Sequence, residues 1–143
     1  YIDRITNICT SDYDEVWWIV RSPDILPQKE KLVQSLSPSR ELFLRYREAF
    51  HAEQFGPEFF QNVYVPQFIA ELAKNEEAEA DLNYLCRESS RRNIVLGCYC
   101  EDEELCHRSI IAGILLGMGA EIQTNQEYRK YYEMLCRTCF IQL

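Results

Sequence analysis

With 143 residues, 47% of them apolar and 13% aromatic, the chain is long enough for one packed domain burying roughly two-thirds of its unfolded surface. A formal net charge of −8 argues against non-specific binding to nucleic-acid backbones, which runs on excess Lys and Arg. The longest apolar run, Ile110 to Ala120, is interrupted by glycines and too short to span a membrane.

Ile2 to Thr10 mixes Ile, Thr and Cys and is expected to hold a first strand. Glu15 to Arg21 (EVWWIVR) is a stronger strand, rich in aromatic and β-branched residues and ended by Ser22-Pro23. Pro23 to Leu36 carries mixed signals and reads as loop. Ser37 as N-cap and Pro38 at the first helical position open a helix whose apolar face is Leu42, Phe43, Tyr46, Ala49 and Phe50. Gly56-Pro57 breaks it and starts another, with a kink or restart at Pro66. Asn75 caps a third helix, with Glu76 and Glu77 in its first turn and Arg87, Arg91 and Arg92 at or beyond its end.

Asn93 to Cys100 (NIVLGCYC) is a continuous apolar run of strand length, the pattern of a strand covered on both faces. A polar loop leads to a helix over about Leu105 to Leu116, terminated by Gly117 and Gly119. Ala120 to Gln123 could form a last strand, and Asn125 to Phe140 a final amphipathic helix. The expectation is a single α/β domain over 1–143. Its architecture is a three-layer, Rossmann-like fold, with a small, largely parallel sheet flanked by helices.

Residues 97–111, GCYCEDEELCHRSII, place three cysteines, a histidine, an arginine and four carboxylates in fifteen positions. In an open α/β sheet the loop after Cys100 lies at the carboxyl edge, where ligands bind against a helix N-terminus. A thiol there ionises more easily, an imidazole shuttles protons and a guanidinium grips an anion at two points. Two features oppose this. Glu101, Asp102, Glu103 and Glu104 bring negative charge to the same helix end. Successive helical residues are also turned by about 100°, so at most two of Cys106, His107 and Arg108 share a pocket. Cys98 is expected in the core, leaving Cys100 nearest the site.

Metal is the rival reading, with Cys98, Cys100, Cys106, His107, Cys136 and Cys139 as candidate ligands and the last cysteine pair at i, i+3. No P-loop, nucleophile elbow, dinucleotide fingerprint or phosphatase loop is present, so no cofactor is named. Seven cysteines spread through an ordinary core suit a reducing, cytoplasmic compartment. The chain opens on Tyr1 instead of Met and reads as trimmed, with no stretch resembling a targeting peptide.

The run IVLGCYCEDEELCHRSIIAGIL resembles the C-terminal signature of the domain of unknown function 488 family: an apolar strand ending in Cys, an acidic loop, Cys-His-Arg and an apolar helix. WWIVRSP resembles its second strand ending in Arg, here Arg21. LSPSRELFLRYREA and FFQNVYVPQFIAEL resemble the helices that follow. The resemblance spans about residues 5–122 and leaves out the Cys136-x-x-Cys139 tail. It implies a compact α/β fold and directs attention to Arg21, Cys100, Glu101, Cys106, His107 and Arg108. It supplies no reaction.

Three functions stay open from sequence. In the first, Arg108 and Arg21 bind an anionic ligand, which could be a nucleotide or nucleic-acid phosphate. Cys106 or Cys100 is then the nucleophile or redox thiol, His107 carries the proton and Glu101 orients it. The second is a zinc module. The third is an interaction domain in which Cys-His-Arg pins a helix to the sheet.

Overall fold

The computed structural model describes residues 1–21 and 30–142. Four short strands, β1 (Ile2–Arg4), β2 (Glu15–Trp18), β3 (Lys31–Leu32) and β4 (Ile94–Cys98), form one sheet in the order β1-β4-β2-β3. Every neighbouring pair is parallel. β4 is central and all of its residues are buried, as its unbroken apolar sequence requires. The register pairs Arg4 with Cys98 and Trp18 with Gly97, so the strands end close together on one carboxyl edge.

Around the sheet lie α1 (Arg40–His51), α2 (Pro57–Phe59), α3 (Val65–Ala73), α4 (Glu76–Glu88), α5 (His107–Met118) and α6 (Lys130–Gln142). The result is a small three-layer α/β fold. No helix among the described residues is long and apolar enough to cross a membrane.

Trp17 shows how the layers lock. It is fully buried and stacks on Tyr84 of α4 with centroids 5.6 Å apart, while Lys31 Nζ sits 4.3 Å above its ring. Burial of so large an apolar group is worth about 3 kcal/mol, and the ammonium adds a smaller cation–π attraction. On the sheet's other face, Gly97 of β4 leaves room for Ile5 and Ile8: a Cβ there would lie 2.7 Å from Ile8. α5 is packed still more closely, since a Cβ on Gly113 would stand 1.9 Å from the Tyr128 carbonyl oxygen.

Several boundaries differ from the sequence expectation, each for a local reason. α1 is capped by Ser39, whose Oγ accepts from Leu42 N; Ser37 instead donates its hydroxyl to the Gln34 carbonyl. Ser39 also donates its backbone N–H and its hydroxyl to Glu71 of α3. The restart near Pro66 is a π-helical turn at Phe60–Tyr64 that joins α2 to α3. Asn75 caps α4 as expected, accepting from Ala78 N. Gly119, at φ 95°, ends α5 in the left-handed region, whereas Gly117 stays inside the helix against the Tyr132 ring. The expected strand at Ala120 to Gln123 does not form; these residues have no regular secondary structure and no ladder partner. β3 was not expected, and it exists because Trp17 and Trp18 offer their second edge to Lys31 and Leu32. The expected end of the Glu15 to Arg21 strand at Ser22-Pro23 and the first half of the loop that follows lie outside the described residues.

Candidate functional site

The carboxyl end of β4 and the start of α5 meet through a short acidic connection. β4 stops at Cys98, the chain turns through Tyr99 and Cys100, and a 3-10 turn at Glu103–Leu105 leads into Cys106. Cys106 is the N-cap of α5, with extended backbone (φ −124°, ψ 147°), and His107 and Arg108 are the first helical residues. Because Cys106 lies outside the helix, the helical rotation that would separate it from His107 does not apply.

The sulfurs of Cys98, Cys100 and Cys106 and a ring nitrogen of His107 all lie within 4.8 Å of one another. Cys98 Sγ and Cys106 Sγ are 2.9 Å apart, and Cys106 Sγ is 3.6 Å from His107 Nδ1. His107 Nε2 lies 2.6 Å from the Ile19 carbonyl oxygen. A carbonyl only accepts, so Nε2 carries the proton and the Nδ1 lone pair faces the sulfurs. The ring is seated edge-on against Phe68. Cys98, Cys106 and His107 are buried, and Cys100 is half-buried.

Arg108 closes the cluster from behind. Its Nη1 donates to Cys98 Sγ at 3.1 Å and to the Cys100 carbonyl at 2.9 Å. The side chain is 4% exposed, forms no ion pair among the described residues and leaves Nε without a partner. The Cys98 thiol is held far below the usual range. Hydrogen bonds from Cys100 and Cys106 are the main cause, with the charge of Arg108 helping. Cys106 is pushed up by burial and by donating to its two neighbours. Cys100 is pulled down by its bond from Cys106, but donation to Cys98, burial and the Cys98 charge outweigh that and raise it. Cys98 is thus the most acidic of the three thiols.

This cluster forms the floor of a cleft of about 690 Å³. Its rim carries Arg21, Arg40 and Arg47, and its wall carries Phe43, Tyr46 and Tyr64. No Asp or Glu lines it among the described residues. The acidic loop is turned elsewhere: Glu101 pairs with Arg4 at 3.3 Å, Glu103 accepts from Tyr128 at 3.0 Å and Asp102 caps the 3-10 turn. The four carboxylates therefore do not cancel the positive rim.

The expected site residues fare differently. Cys100, Cys106, His107 and Arg21 line the cleft together. Cys98 is in the core, as expected, and its sulfur also lies beside theirs because β4 ends there and the backbone turns at Tyr99. Glu101 is 81% exposed and does not orient His107, a task taken by the Ile19 carbonyl. Arg108 lies behind the cluster and not on the cleft. Cys136 and Cys139 are exposed on α6 and are not part of the cluster.

Arg40 and Arg47 were missed, although the signal was present. Positions 40, 43, 44 and 47 share one helix face, which reads as a mix of basic and apolar residues and is largely exposed. Phe43 and Phe50, assigned from spacing to the buried face, are exposed, and α1 buries only Leu42 and Ala49.

Residues 5–119 match the family model DUF488-N3a, described as the active DUF488-N3 subclade. The match takes in every cluster residue and the arginine rim, and it stops at Gly119, before α6. No curated protein and no solved structure matches the chain.

Proposed function

This chain belongs to the DUF488 family, and we propose that it binds an anionic, aromatic-bearing small molecule of nucleotide type in the cleft and presents it to the sulfur cluster for thiol chemistry. The observation that carries this reading is the pairing of a three-arginine rim with a sulfur-and-imidazole floor in one cleft that no carboxylate lines among the described residues. The position at the carboxyl edge of a parallel sheet supports it, because open α/β folds bind ligands there. So does the size, which falls within the ~300–1,000 Å³ of small-molecule sites. The word "active" in the subclade's description is in keeping with a working site.

Each residue has a task. Arg21, Arg40 and Arg47 hold the anion, with guanidinium forks suited to phosphate oxygens. Tyr46 and Phe43 offer ring faces to a planar base. Cys100 is the half-buried sulfur nearest the bound molecule. Arg108 offers its guanidinium to the cluster, and Ile19 holds His107 in one orientation beside Cys106.

Calorimetric titration with adenosine monophosphate and with adenosine tests the reading. The monophosphate should bind at least about tenfold more tightly, because the rim arginines form charge-assisted hydrogen bonds worth more than 1.4 kcal/mol in sum. Arg40→Ala combined with Arg47→Ala, both at exposed positions, should abolish that preference while leaving the fold intact. Absence of binding by the monophosphate, or binding indifferent to the double substitution, overturns it.

A further inference from the structure

We infer that Cys98, Cys100, Cys106 and His107 together bind one zinc ion at the floor of the cleft. Four donor atoms of the right kind converge: three sulfurs and one ring nitrogen, mutually within 4.8 Å. Thiolate and imidazole ligands select zinc over calcium or magnesium, which take oxygen donors. No carboxylate belongs to the group.

The imidazole is already set for the task. Its Nε2–H is given to the Ile19 carbonyl at 2.6 Å, which leaves Nδ1 as the free lone pair on the side of the sulfurs. A metal-binding histidine is oriented in this way, with its second nitrogen donating to a backbone carbonyl.

Charge provides a separate argument. Three thiolates and a divalent ion sum to a single negative charge, and a positive charge is needed to bury it. Arg108 is that charge. Its guanidinium is buried, has no carboxylate partner among the described residues and donates to Cys98 Sγ at 3.1 Å. The cluster with zinc and Arg108 is neutral overall.

The sulfur spacing also fits. Cys98 and Cys106 at 2.9 Å are closer than two sulfurs rest without a shared proton or ion. Zinc–sulfur bonds of about 2.3 Å in a tetrahedron separate the sulfurs by about 3.8 Å. That opening of less than 1 Å calls for side-chain rotation at Cys106, with its backbone held in place by Glu103 and Ser109. The ligands come from a strand end, a turn, a cap and the first helical residue, so the ion also ties β4 to α5. The Cys100 thiolate, bound to the ion, is then the sulfur that a molecule in the cleft meets. The zinc reading rests on the cluster and not on the arginine rim, so either can fail alone.

The protein, purified under reducing conditions without added metal and dialysed, should carry about one equivalent of zinc by plasma mass spectrometry. Replacement by cobalt should give the visible absorption of a tetrahedral thiolate site. Cys100→Ser, at a half-buried position that folding tolerates, should lower zinc retention against a chelator by at least about tenfold. Cys136→Ser, on exposed α6, should leave it unchanged. Less than about a tenth of an equivalent of zinc, together with no cobalt spectrum on reconstituting the reduced protein, overturns the proposal. A Cys98–Cys106 disulfide as the isolated form, or zinc lost in Cys136→Ser but kept in Cys100→Ser, also overturns it. Titration of adenosine monophosphate into chelator-treated protein separates the two readings. Binding there without any zinc uptake keeps the nucleotide cleft and removes the metal.

Discussion

Arg108 Nη1 lies 3.1 Å from Cys98 Sγ, joining the first turn of α5 to the last residue of β4 with both side chains buried. A buried guanidinium is stable only against negative charge, and here the charge is sulfur, since no carboxylate reaches it among the described residues. Arg108→Met keeps the volume and removes the charge and the donors. Urea unfolding should show a loss of about 3 kcal/mol, the usual cost of breaking one half of a buried pair. Arg108→Lys should recover part of it through a single ammonium contact. A loss below about 0.5 kcal/mol in Arg108→Met would mean that the sulfur cluster carries no charge for Arg108 to meet.

Gly113 and Gly117 lie on α5, and the closeness of α6 and its leading turn depends on them. A Cβ on Gly113 meets the backbone carbonyl of Tyr128 at 1.9 Å, and one on Gly117 meets the Tyr132 ring at 2.1 Å. Backbone cannot step aside, and the Tyr132 Cβ, 2.3 Å from a Cβ on Gly117, moves only with the backbone of α6. Gly113→Ala and Gly117→Ala should therefore each cost about 3 kcal/mol or more in thermal unfolding. A loss below about 1 kcal/mol in either variant would show that α6 shifts away from α5 at little cost.

Tyr46 gives the cleft an alkaline limit. Its phenol is pushed up to about 12, first by burial and then by negative charge on Cys100, Cys106 and Cys98. The folded state thus keeps a proton that the unfolded chain releases near pH 10. Stability from this group is complete below pH 10 and is lost as pH rises from there through about 12. Chemical denaturation across that window should show declining stability, and Tyr46→Phe should make the decline shallower. An unchanged slope in the variant would place the alkaline limit on other groups.

What the sequence determined by itself follows from local chemistry. The unbroken apolar run through Ile94–Cys98 can be satisfied only by burial on both faces, so a central strand and a parallel α/β sheet were legible before any coordinates. Asn75 and Gly119 mark helix ends because a side-chain acceptor and a left-handed φ are needed at those points. The Cys-His-Arg triplet pointed to the candidate site for the same reason: it falls where a strand ends and a helix begins. Tertiary structure decided the rest. Cys98 is core, as its place in an apolar strand implies, but only the turn at Tyr99 brings Cys106 against its sulfur. Arg40 and Arg47 come from a helix about sixty residues away in sequence, and their aromatic neighbours mimicked a buried face. The acidic loop that argued against an anion site is turned away from the cleft, with Glu101 on Arg4 and Glu103 accepting from Tyr128. Charge acts through space and not along the chain, so no local pattern could show which carboxylates face the cleft.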